Sequence, residues 1–210
     1  MYTVSTRLNL YRIVPVIRLD TPEDAPPLAE ALCDGGLPVA EITFRTEAAE
    51  ESLRILRRRY PDMLLGAGTV LSACQADAAA AVGADFIVSP GFSPKVVEHC
   101  LSKGYPVYPG VCTPTEVEAA LGYGLTELKF FPAEAAGGLA MIRALSAPYP
   151  SVRFMPTGGL HPQNVGTYLA CPAVFACGGS WMAPDSMIRA GEFAGIRQLT
   201  AEAVKLAKSL

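Results

Sequence analysis

VAEITFRTE, residues 39–47, sets a glutamate and an arginine four positions apart, and LTELKFFP, residues 125–132, sets a lysine among apolar neighbours. Side chains alternate along a strand, so Glu41, Thr43 and Arg45 share one face while Ile42 and Phe44 share the other. The same parity groups Glu127, Lys129 and Phe131 against Leu128 and Phe130. If the apolar set packs against helices, the polar set points inward, where a charge is costly unless it is paired or used. An interior carboxylate can move protons, and a guanidinium fork fits a carboxylate. Desolvation and the Arg45 charge would both lower the pKa of Lys129, and a neutral lysine attacks a carbonyl to form a Schiff base. Two plainer readings stand beside this: a Glu41–Arg45 pair that holds an interior layer together, and a Lys129 that snorkels to the rim.

GAGTV, residues 66–70, ends another apolar run. Its glycines could bring backbone close to a ligand while Thr69 donates to a carboxylate, or the stretch is an ordinary strand-ending turn. PTGG (156–159) and CGGSW (177–181) close the last two runs. Gly158, Gly159, Gly179 and Ser180 there expose backbone N–H groups, and a following helix N-terminus would favour an anion such as phosphate. Tight turns alone would also call for these glycines. Arg18 faces the same rim and could reach the same anion, or simply pair with Asp20. Neither His99 nor His161 forms a ligand set with an acidic pair, so no metal is expected.

The elements that must position these residues are short. Eight apolar runs recur at 13–19, 39–44, 63–70, 85–90, 106–111, 125–132, 152–159 and 173–180, each flanked by turn formers. Segments with helical caps lie between several of them: 21–36, 72–84, 93–104 and 113–124. Strand followed by helix, repeated every roughly 20–27 residues, requires parallel strands and right-handed crossovers. Eight units close naturally into a (β/α)8 TIM barrel with a closed parallel sheet, one domain over residues 1–210, whose site lies where strands end. A doubly wound open sheet is the rival. The candidate residues fall at those strand ends.

Bulk composition excludes other classes. With 17 basic against 20 acidic residues and only RRR at 57–59 clustered, no nucleic-acid partner is expected, and that cluster reads as a solvated helix end. No apolar run is long enough to cross a membrane, and the first twenty residues lack a signal-peptide pattern. The six cysteines show no ligand spacing and read as reduced thiols. A cytoplasmic protein is expected.

EITFRTE, GAGTV, FIVSPGF, LKFFPAE, PTGG and GGSW occur in this order and spacing, and so arranged the chain resembles the 2-dehydro-3-deoxy-phosphogluconate aldolases over about residues 10–208. The resemblance implies a (β/α)8 barrel, usually a homotrimer, that splits a phosphorylated keto-deoxy sugar acid into pyruvate and glyceraldehyde 3-phosphate. Such enzymes often act also on 4-hydroxy-2-oxoglutarate, and they use a lysine imine with no cofactor. Carried over position by position, it implies that Lys129 is the Schiff-base lysine and Glu41 the acid–base carboxylate. By the same resemblance Arg45 and Thr69 hold the pyruvate carboxylate, Pro90 and Phe131 line the pocket, and Gly158, Gly159, Gly179 and Ser180 cradle the phosphate. The chain departs from some members at Arg18 and in HPQN after the PTGG glycines, both near the distal end of the substrate. Rival readings are a galactonate-type aldolase of the same mechanism, an isomerase or epimerase with Glu41 as base, a non-catalytic sugar-phosphate-binding barrel, and a metal-dependent aldolase.

Overall fold

Runs rich in Val, Ile and Phe become buried strands here because helices cover their outer faces. The structure, a computed structural model, describes residues 3–209. Helix α1 (Val4–Tyr11) precedes β1 (Ile13–Ile17), α2 (Ala25–Asp34), β2 (Val39–Thr43), α3 (Ala48–Arg59) and β3 (Leu64–Gly68). There follow α4 (Ala73–Ala81), β4 (Phe86–Val88), α5 (Pro94–Lys103), β5 (Val107–Tyr108), β6 (Gly110–Val111), α6 (Pro114–Gly122) and β7 (Glu127–Phe130). The chain ends with α7 (Gly138–Ser146), β8 (Arg153–Pro156), α8 (Val165–Leu169), β9 (Cys177–Gly179), α9 (Asp185–Arg189) and α10 (Phe193–Lys208).

Local chemistry explains the boundaries. Thr113 and Glu116 form a capping box with Pro114 at the first helical position of α6. Helix α2 starts at Ala25 after a 3-10 turn over Pro22–Asp24. The capped segment at 21 therefore becomes a turn followed by a helix, with Pro26 and Pro27 confined to the first helical turn. Helix α1 was not anticipated: among its residues only Leu8 is buried, so it carries almost no apolar periodicity.

Every pairing is parallel. One sheet has the order β5-β4-β3-β2-β1-β9 and a second the order β6-β7-β8. A doubly wound sheet would reverse its order at a switch point. Here strands five to one follow one another without reversal, so this is an α/β fold with its parallel sheet curled into a half-barrel. The expected run at 106–111 divides at Pro109, which has no N–H to continue the ladder. Its carbonyl still accepts from the Lys129 N–H at 3.0 Å.

Two apolar clusters back the strands. Ile17, Ile42, Leu65 and Ile87 pack with Leu28, Leu32, Leu53 and Val96 of the covering helices. Leu128, Phe130 and Phe154 pack with Ile142 and Leu145 of α7. The outward parity expected of Ile42, Leu128 and Phe130 is therefore what is found. The basic cluster at 57–59 is only partly solvated: Arg57 donates to the Gly83 carbonyl at 2.9 Å and pairs with Asp85 at 2.6 Å, tying α3 to the start of β4. Arg58 and Arg59 are exposed. All six cysteines are free thiols. Among the described residues no helix is long and apolar enough to cross a membrane, and no three His, Cys, Asp or Glu gather as a metal set.

Candidate active site

Lys129 occupies the third position of β7, in register with Gly110 and Met155. Glu41 is the central residue of β2, in register with Val16 and Gly66. Both turn to the interior. The Lys129 Nζ donates to Glu41 Oε1 at 3.3 Å, with Lys129 4% exposed and Glu41 0%. The ammonium lies 5.3 Å from the centroid of the Phe131 ring. Glu41 Oε2 is buried and has no hydrogen-bond partner. An unpartnered buried carboxylate oxygen costs at least about 1–3 kcal/mol. It is the acceptor that a water or a substrate hydroxyl would use.

The glycines before Thr69 act differently from the expectation that they bring backbone to a ligand. A Cβ at Gly68 would lie 2.2 Å from Glu41 Oε1, and one at Gly66 would lie 2.3 Å from the Phe86 ring. They make room for a carboxylate and a ring. Thr69 itself has a φ of 58°, a left-handed conformation that strains a β-branched residue. It lines the same cavity as Glu41 and Lys129.

Arg45 departs from its expected burial. Strand β2 ends at Thr43 and the chain turns over residues 44–47, so alternation stops and Arg45 is exposed. Its Nε donates to Thr43 Oγ1 at 3.0 Å, while that hydroxyl donates to the Ile17 carbonyl at 2.8 Å. Among the described residues it meets no carboxylate, and the Glu41–Arg45 pair does not form; Lys129 pairs with Glu41. The guanidinium stands at the mouth of the cavity.

That cavity measures about 560 Å³. Glu41, Arg45, Thr69, Pro90, Lys129 and Phe131 line it, together with Gly158, Gly159, Gly179 and Ser180. Gly158 and Gly159 have φ values of 102° and 80°. The carbonyls of Thr157 and Gly158 accept from the N–H groups of Ala133 and Glu134 at 2.8 and 3.1 Å, which fastens the PTGG turn to the FPAE loop. The N–H groups of Gly159 and Ser180 have no acceptor among the described residues. Helices α8 and α9 span only five residues each, so an anion here would rely on these N–H groups rather than on helix ends.

Arg18 does not line the cavity. It lies just beyond the end of β1 and pairs with Asp20 at 2.6 Å and, more loosely, with Asp185 at 3.9 Å. The nearer carboxylate has captured it, as the plainer reading allowed. The histidines also stay away: His99 bonds Asp77 at 2.8 Å, and His161 is exposed beside Gln163.

Sequence reasoning missed Val16, Thr157, Leu160, Trp181, Pro184 and Asp185, which also line the cavity. Trp181 ends the CGGSW stretch, and its ring covers Gly179, where a Cβ would meet it at 2.0 Å. Asp185 carried no signal, since only the turn after β9 brings it to the cavity.

The chain matches the family model described as Aldolase: KDPG and KHG aldolase over residues 4–199. The 2-dehydro-3-deoxy-phosphogluconate aldolase of Treponema pallidum is 50% identical over 98% of this chain and 98% of its own. The enzyme of the same name from Haemophilus influenzae is 47% identical over 96% and 95%. Among solved structures, the KDPG aldolase of Legionella pneumophila, with pyruvate captured at low pH as a covalent carbinolamine intermediate, superposes with a TM-score of 0.92. It is 39% identical, covering 95% of this chain and 97% of that one.

Proposed function

The chain belongs to the KDPG and KHG aldolase family, and from that membership we propose the residues and steps by which it works. It is a Schiff-base aldolase, a lyase that cleaves 2-dehydro-3-deoxy-6-phosphogluconate reversibly to pyruvate and glyceraldehyde 3-phosphate. The observation that carries the assignment of roles is the buried Lys129–Glu41 pair, 3.3 Å apart, with one carboxylate oxygen left free beside the cavity.

Lys129, in its neutral form, attacks the C2 ketone, and loss of water leaves a protonated imine that draws electrons from the C3–C4 bond. Glu41 takes the C4 hydroxyl proton through a water, the bond breaks, and the aldehyde leaves. The resulting enamine is protonated at C3, and water then releases pyruvate and returns the amine. No cofactor takes part. Arg45 and Thr69 hold the carboxylate end, and Gly158, Gly159, Gly179 and Ser180 receive the phosphate, so that binding energy distant from C3–C4 is used for orientation. Pro90 and Phe131 line the pocket between them. Arg18, ion-paired outside the cavity, is given no contact with substrate.

Pyruvate and borohydride provide the test. Trapping should add one reduced pyruvyl group to the protein, on Lys129. An isomerase using Glu41 as base would give no adduct and would exchange a substrate proton without cleavage. Cleavage of 4-hydroxy-2-oxoglutarate to pyruvate and glyoxylate is proposed as a second activity of the same site. Rates on the gluconate- and galactonate-type phosphates decide the C4 preference.

The finer architecture is part of the same reading. The two sheets are taken as a single eight-stranded (β/α)8 ring: β5 and β6 are separated only by Pro109, and isolated parallel bridges join Phe154 to Val174 and Thr157 to Gly178. The described residues are read as one domain; residues 1, 2 and 210 of the expected 1–210 span lie outside them. Three copies associate, as the family resemblance implies, and light scattering would give the mass of three chains; the cytoplasm is their proposed compartment.

A further inference from the structure

The distal end of the cavity holds a charge that a phosphate site does not need. Asp185 lines the same cavity as Gly179 and Ser180, six and five residues after them in the chain. Its side chain is 37% exposed and makes no hydrogen bond among the described residues. Its ion pair with Arg18 is loose, 3.9 Å, because Arg18 is held at 2.6 Å by Asp20. Asp20 is further engaged by Arg189 at 3.3 Å. The cation that could neutralise Asp185 is thus shared with a nearer carboxylate, and Asp185 keeps acceptor capacity facing the space where the far end of a substrate would lie.

A carboxylate there has two opposite effects. It repels a dianionic phosphate seated on the Gly159 and Ser180 N–H groups. It also accepts a hydrogen bond from a hydroxyl, which a phosphate monoester dianion cannot donate. We propose that Asp185 is the terminal-group selectivity residue of this cavity, and that it extends the reaction to 2-keto-3-deoxy acids ending in a free hydroxyl. These undergo the same C3–C4 cleavage on Lys129, releasing pyruvate and a hydroxyl-terminated aldehyde. The inference rests on the aldolase reading above.

The experiment compares kcat and KM for the phosphorylated acid and its hydroxyl-terminated counterpart in the wild type, Asp185→Asn and Asp185→Ala, with inorganic phosphate as a competitive inhibitor. Because the carboxylate is partly solvated, each effect is modest. Asp185→Ala should lower KM for the phosphorylated acid and Ki for phosphate by roughly threefold, and raise KM for the hydroxyl-terminated acid by a similar factor. The preference between them then moves by roughly tenfold. Asp185→Asn should reproduce the phosphate gain while losing less with the hydroxyl-terminated acid, since an amide oxygen still accepts. Trapping of pyruvate on Lys129 must stay unchanged in both variants, because pyruvate does not reach the distal wall, and it reports that the variants are folded. Unaltered preference and unaltered phosphate Ki alongside intact trapping overturn the role of Asp185 and leave the aldolase reading standing. No trapping in the wild type overturns both.

Discussion

Glu41 and Lys129 stand 88 residues apart in the chain and meet at 3.3 Å inside the fold, one from β2 and one from β7, strands that share no ladder. Each is costly to bury alone, and each makes the burial of the other tolerable. The pairing also leaves Glu41 Oε2 unpartnered, so the site holds a proton acceptor that the fold itself does not consume.

Lys129→Met should abolish borohydride trapping and lower turnover by more than about 10⁴-fold, beyond the contribution of a single acid–base group. It also strands a buried carboxylate, and a loss of about 3–5 kcal/mol in urea unfolding is expected at neutral pH. Glu41→Gln should lower turnover by about 10²–10⁴-fold while the adduct with pyruvate still forms on Lys129. A trapped adduct elsewhere in either variant contradicts the assignment.

Gly68→Ala tests the space beneath the carboxylate. The new methyl would lie 2.2 Å from Glu41 Oε1, so Glu41 must shift. Stability should fall by about 1–3 kcal/mol, as in other overpacked sites. Turnover should fall with it, while affinity for pyruvate changes little. Wild-type turnover in this variant would show that the position of Glu41 is not critical.

If Arg45 binds the substrate carboxylate as proposed, Thr43 should act on substrate through it. Its hydroxyl proton goes to the Ile17 carbonyl, so its oxygen is left to accept from Arg45 Nε and hold the fork at the cavity mouth. Thr43→Val should raise KM for pyruvate-derived substrates by roughly tenfold, about one hydrogen bond, with kcat nearly unchanged. Thr43→Ser should restore it. A purely structural role would instead lower stability without this split between KM and kcat, and Ser would not discriminate.

Acid stability should carry the signature of α6. Burial alone would raise the Glu116 carboxyl, but the Cys112 and Thr113 N–H groups and the Thr113 hydroxyl together hold it below its ordinary value. A carboxyl with a lowered folded-state pKa stabilises the fold fully above its unfolded pKa, and that stabilisation is lost as pH falls through the folded value. Glu116→Gln should therefore cost about 1 kcal/mol at neutral pH, with the difference from wild type closing in acid. Unfolding titrations across the acid range would read it, and a gap independent of pH would count against it.

Much of this protein was legible in one dimension. Strand and helix order followed from apolar runs and caps, because burial and capping are local in sequence. Lys129 pointed inward by parity, because alternation holds throughout the short β7. The same rule misplaced Arg45, since β2 stops at Thr43 and a turn obeys no period of two. The motifs held Glu41, Arg45, Lys129 and the glycines of the cavity wall, yet they could not show what every glycine is for: Gly66 and Gly68 accommodate Phe86 and Glu41 rather than a ligand. Arg18 had two anionic claims on it, and only distances show that Asp20 holds it. Trp181 was hidden within a motif, and Asp185 was invisible, because nothing near it in sequence says that the turn after β9 folds back on the cavity. By itself, then, the sequence determined which residues could do chemistry and the periodic elements that carry them, both properties of neighbours along the chain. Tertiary structure decided which charges meet, Lys129 with Glu41 and Arg18 with Asp20, because electrostatic partnership depends on separation in space, and curling the sheet brings β2 and β7 face to face.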